Sequence, residues 1–117
     1  MLVKGWFVEI YFKTKKLQKA CSEEREMKKQ YGRRAGKLKQ RLMELRAADT
    51  LADISHLPPP RCHELEGDRE GQFSVDLDHP FRLLFVPAHD PIPRRENGSI
   101  DRENIREIEI IKIEDTH

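Results

Sequence analysis

Gln72-Phe73-Ser74-Val75-Asp76-Leu77-Asp78-His79-Pro80-Phe81-Arg82-Leu83-Leu84-Phe85-Val86 is the stretch on which the fold turns. Over residues 72–77 apolar and polar residues alternate strictly, which puts Phe73, Val75 and Leu77 on one face of an extended strand. Asp78-His79-Pro80 supplies turn chemistry, and residues 81–86 form the next strand, with Leu83 and Phe85 sharing a face and Arg82 turned to solvent or a cleft. Just upstream, residues 62–65 suit a short strand and Gly67-Asp68-Arg69-Glu70-Gly71 a turn. Three strands in succession make an antiparallel meander.

Toward the C-terminus, residues 87–104 contain Pro87, Pro91, Pro93 and Asn97-Gly98 without periodicity, the pattern of a long loop of the kind that is often functional or mobile. Residues 105–114 hold five isoleucines, and the adjacent pair Ile110-Ile111 implies apolar contact on both faces, as in a central strand. Toward the N-terminus, Trp6-Phe7-Val8-Glu9-Ile10-Tyr11-Phe12 has the aromatic and β-branched character of a first strand. Leu17, Ala20, Cys21, Met27 and Tyr31 then fall within an arc of roughly 120° at helical spacing, so one amphipathic helix is expected, ended by Gly32 in a left-handed cap. Ala35, Leu38, Leu42 and Leu45 mark a second helix that packs with the first as a hairpin. Thr50 caps a short turn through Ile54, and Pro58-Pro59-Pro60 forbids further helix. The resulting order, β-α-α-β-β-β-β, is an α/β chain of the α+β kind, with a curved, mainly antiparallel sheet and two N-terminal helices on one side.

The chain of 117 residues, 37% hydrophobic and 37% charged, is expected to form one domain spanning residues 1–117. No apolar run reaches the roughly 20 residues of a membrane span, and the start lacks a signal-peptide pattern, so a cytoplasmic protein without membrane contact is expected. Cys21 and Cys62 belong to no Cys-x-x-Cys pair and are read as reduced thiols. Cys62-His63 with His117 lacks the regular spacing of a metal site, and no metal or cofactor is expected. A formal net charge of +1 hides an asymmetry: residues 13–46 carry 13 Lys/Arg against 4 Glu, a net of +9, and the remainder carries −8. Such a basic block is either a solvated helix surface or the electrostatic footprint of a nucleic-acid partner.

Four ordered strings carry a family resemblance: Phe12-Lys13-Thr14-Lys15-Lys16-Leu17-Gln18-Lys19; Arg61-Cys62-His63-Glu64-Leu65-Glu66-Gly67-Asp68-Arg69; Phe73-Ser74-Val75-Asp76-Leu77-Asp78-His79-Pro80-Phe81-Arg82; and Glu114-Asp115-Thr116-His117. Together they resemble the HigB-like branch of the RelE/ParE toxin superfamily, from about residue 12 to the last. The resemblance implies a RelE-like fold and a bacterial toxin of a type II toxin-antitoxin pair, a ribosome-dependent endoribonuclease that cleaves messenger RNA on the 70S ribosome without a metal. It also implies an antitoxin partner of the HigA-like, helix-turn-helix kind. By the same resemblance His63, Asp115 and His117 are catalytic and Arg82 binds the scissile phosphate. Histidines suit acid-base work near neutrality, and period two puts Asp115 and His117 on one strand face. Arg69 in its turn is a secondary phosphate contact, while Lys13, Lys15, Lys16, Arg33, Arg34 and Lys37 of the basic block are the expected contacts to ribosomal RNA.

Two positions depart from the family pattern. Thr116 stands where the family has tyrosine, losing a ring that could stack on a base, and Glu66 stands where lysine is common. Both changes point to an attenuated enzyme, and they motivate a second reading, a non-catalytic module that retains only antitoxin binding. A gyrase-directed toxin fits less well, because inhibiting a protein needs no histidine pair.

Overall fold

A computed structural model describes residues 7–116 of the chain. Strand β1 (Glu9–Phe12) is followed by α1 (Lys15–Ser22), α2 (Glu24–Tyr31) and α3 (Ala35–Ala47), then by β2 (His63–Glu64), β3 (Phe73–Asp76), β4 (Phe81–Pro87) and β5 (Glu107–Asp115). The five strands form one mixed sheet in the order β1-β5-β4-β3-β2. β1 runs parallel to β5, and the other three pairings are antiparallel. The fold is therefore α+β, with the terminal strand internal to the sheet. Trp6, expected to open the first strand, lies outside the described residues.

The expected first helix is two. Thr14 Oγ1 accepts from the Leu17 amide at 3.1 Å to start α1, but Glu23 is extended (φ −108°, ψ 117°) and separates α1 from α2. The apolar pattern runs through the break because the kink keeps the same side chains on the same side, so periodicity alone did not reveal it. Gly32 ends α2 with φ 53° and ψ −126°, a backbone state that side-chain-bearing residues avoid. Thr50 caps the 3-10 turn Leu51–Asp53, as the sequence predicts, and Asp53 completes a capping box that the sequence reading did not include.

One core joins helices to sheet. Met27 of α2 and Leu38, Leu42 and Leu45 of α3 pack in one cluster with Phe73, Val75, Leu83, Phe85, Ile108 and Ile110. Burying each large apolar side chain contributes about 1.5–3 kcal/mol. Phe73 and Phe85 are cross-strand partners whose rings stack at 5.8 Å. Arg41, on the same stripe of α3, is only 2% exposed: its Nε donates to the Asp76 carbonyl at 2.7 Å, Nη2 to the Pro59 carbonyl at 3.1 Å, and Nη1 to Glu44 at 3.2 Å. It ties α3 to the end of β3 and to the proline turn.

One expectation for the C-terminal third is corrected. Phe85 pairs with Ile110 while Leu84 pairs with Lys112, so Ile111 is the extra residue of a β-bulge. The adjacent isoleucines thus reflect a register shift rather than a strand covered on both faces. The segment after β4 is mostly loop, as expected, and it is held against the body: His89 Nε2 accepts from the amides of Arg106 (2.9 Å) and Glu107 (3.1 Å), and Ile100 and Ile105 enter the core. The Arg102 guanidinium lies 5.0 Å from the Phe73 ring centroid.

Candidate functional site

Register assigns the polar strand residues to the sheet face away from the α-helices. Leu83 and Phe85 join the helix-packed core, so Arg82 and Leu84, between them, face the other way. His63 pairs with Ser74 and Ser74 with Leu84, while Asp76 pairs with Arg82 and Arg82 with Glu114. Directly opposed residues share a face, so His63, Ser74, Asp76, Arg82, Lys112 and Glu114 all belong to this one. His63 and Arg82 are two strands and two residues apart, roughly 12 Å between Cα atoms at standard strand spacings.

Arg69 joins them from a distance in sequence. It sits in the 3-10 turn Gly67–Arg69 between β2 and β3, yet its guanidinium reaches Glu114 on β5. The Arg69 side chain therefore reaches across β3 and β4 on this face, where Ser74 and Leu84 are fully buried although they point away from the helices. The Ser74 hydroxyl has no hydrogen-bond partner there.

Glu114 is the centre of the charge cluster. Arg69 Nη2 donates to Oε1 at 2.6 Å and Nη1 to Oε2 at 3.2 Å. Arg82 donates to Oε2 through Nη2 at 2.6 Å and Nε at 3.0 Å, and Lys112 Nζ stands 3.8 Å from Oε1. The hydrogen bonds from Arg69, then those from Arg82, outweigh partial burial and hold the carboxyl down to about 2. At neutral pH this site contains a fixed carboxylate. Beside it, Arg61 bonds Asp76 through Nε at 2.7 Å and Nη2 at 3.0 Å. Arg61, Asp76, His79, Arg82 and Thr116 line a cleft of about 90 Å³ at this end of the sheet.

His63 has a defined tautomer. Its Nδ1 lies 2.9 Å from the Arg61 carbonyl oxygen, which only accepts, so Nδ1 carries hydrogen and the neutral ring presents Nε2 as a lone pair. That arrangement suits a general base.

Not every sequence-derived candidate converges here. His63, Arg69 and Arg82 do. Asp115 pairs with Phe81, which packs against the core, so Asp115 lies on the helix-bearing side, opposite Arg82. His117 lies outside the described residues. Thr116 closes the strand onto the β3–β4 turn, its amide (2.8 Å) and Oγ1 (2.7 Å) both donating to the Pro80 carbonyl. Lys13, Lys15, Lys16 and Arg33 are exposed, and Lys37 is half-buried. Arg34 stacks its guanidinium 4.0 Å from the Phe81 ring centroid, linking the basic helices to the start of β4. Lys112 was not singled out from sequence, and Glu114 only opened the fourth family string with no role given to it; their further signal is two-residue spacing on a strand beside Arg82.

Among the described residues no group of three His, Cys, Asp or Glu side chains is placed to hold a metal ion, and no helix is long and apolar enough to cross a membrane. Cys21 and Cys62 are buried free thiols, pushed up to about 11 mainly by burial, and so remain protonated rather than nucleophilic. A scan against models of protein families returns no match, and a search of curated proteins likewise finds none that matches the chain.

Proposed function

We propose that the chain is a RelE-like toxin of the HigB branch, an endoribonuclease that cuts messenger RNA in the ribosome and is silenced by a helix-turn-helix antitoxin. The observation that carries the reading is the convergence of His63, Arg69 and Arg82 from two separate sequence strings onto one sheet face. In this reaction His63 Nε2 takes the proton of the 2′-hydroxyl, and the freed oxygen attacks the adjacent phosphorus. The P–O5′ bond breaks, leaving a 2′,3′-cyclic phosphate, and His117 gives a proton to the departing 5′-oxygen. Arg82 offsets the charge that builds on the phosphate oxygens. Asp115, on the opposite side of the sheet from Arg82, takes no part at this phosphate, and the basic helices dock on ribosomal RNA.

A second reading, a non-catalytic antitoxin-binding module, is favoured by one specific feature: both candidate phosphate arginines are already engaged by Glu114. Inducible expression in a bacterial host without antitoxin separates the two. The toxin reading predicts arrested growth that His63→Ala and His117→Ala each relieve, with the variants still folded. Unimpeded growth on accumulation of folded wild-type protein supports the binding module instead.

A further inference from the structure

The Glu114 carboxylate receives four guanidinium hydrogen bonds from two arginines and has a lysine ammonium 3.8 Å away. That is the donor set of a phosphate site, since two guanidinium forks and an ammonium converging on paired oxygens match a phosphodiester as well as a carboxylate. The carboxylate comes from the strand next to Arg82, and the Arg69 side chain reaches it across two strands from its turn. We propose that Arg69, Arg82 and Lys112 form a phosphate cradle whose resident anion is Glu114, so that an RNA phosphodiester enters only by displacing this carboxylate.

Glu114 is then an autoinhibitory residue rather than a catalytic one. Its side chain is 13% exposed, and those of Arg82 and Arg69 are 18% and 35% exposed, so the cradle opens to solvent through its arginines while its anion lies beneath them. Releasing Arg69 from Glu114 also frees the Gly67–Arg69 turn from its side-chain tie to β5. The same sheet face carries the buried Ser74 hydroxyl, whose strand partner is His63. The inference rests on the ribonuclease reading for the identity of its occupant, but not for the existence of the cradle.

The test is binding of a 2′-O-methyl RNA octamer, which lacks the attacking hydroxyl, and separately of inorganic phosphate, to wild-type and Glu114→Gln full-length protein over a salt series. The variant should bind the octamer about tenfold more tightly, with a log–log salt slope steeper by about 0.7 per added phosphate contact. Arg69→Gln in the same background should reverse the gain. A folded Glu114→Gln that binds neither probe more tightly than wild type overturns the proposal, even if the wild type cuts messenger on ribosomes. Tighter phosphate binding without tighter octamer binding keeps the cradle and removes RNA as its occupant. If Glu114→Gln does not fold, the wild-type Glu114 carboxyl carbon resonance is followed under saturating phosphate. A shift on binding supports displacement, and an unmoved resonance overturns it.

Discussion

Arg41 and Glu114 are two charged side chains with opposite duties. Arg41 has no surface to serve: its guanidinium satisfies the Asp76 and Pro59 carbonyls inside the fold. Arg41→Ala should lower unfolding free energy by roughly 3 kcal/mol in urea denaturation, because the carbonyls and Glu44 lose their donor together. Arg41→Lys should recover little of it, since a single ammonium cannot reproduce the fork. Glu114 instead makes stability depend on acid. Its folded value of about 2 lies below the ordinary 4.5, so its contribution is complete above 4.5 and is lost as the pH falls toward 2. The urea midpoint of wild type should therefore fall more steeply between pH 4.5 and 2 than that of Glu114→Gln. At this scale the family strings picked out His63 and Arg82, which register puts on one sheet face. The sequence reading was blind to Arg41, which sits on the leucine stripe but reads as one more cation of a basic helix. It was blind to Glu114 for a similar reason: Glu107, Glu109 and Glu114 look alike until register pairs one of them with Arg82.

Alternation, β-branched composition and helical spacing located the five strands of the sheet and the helical region, but not the irregularities that aim side chains. The Glu23 break preserves the phase of the apolar stripe, and the Ile111 bulge imitates a doubly covered strand. The segment after β4 reads as loop because its prolines and charges have no period; its order comes instead from Ile100, Ile105 and one histidine. His89 accepts two amides through a single nitrogen and so staples the segment to the start of β5. His89→Ala should speed hydrogen exchange of the Arg106 and Glu107 amides by at least about tenfold while leaving the amides of β4 protected, as both lose their acceptor. Unchanged exchange would mean that the packing of Ile105 alone orders this connection.

In the whole molecule, the chain separates its charge by region. Residues 13–46, net +9, form the helical side, while most acidic residues belong to the sheet and its connections. The α+β class and the sheet as the frame of the site were legible from alternation around residues 72–86. The parallel pairing of β1 with β5 was not, because no local pattern reports which strand a distant one joins. The functional account makes these two surfaces cooperate, with the basic helices docking on ribosomal RNA while the His63–Arg82 face receives the messenger. The most direct measurement is cleavage of a defined messenger by purified protein, with and without programmed 70S ribosomes, beside the His63→Ala, His117→Ala double variant. The account predicts cuts only on ribosomes, lost in the double variant. Messenger left intact on ribosomes by folded wild-type protein would contradict it.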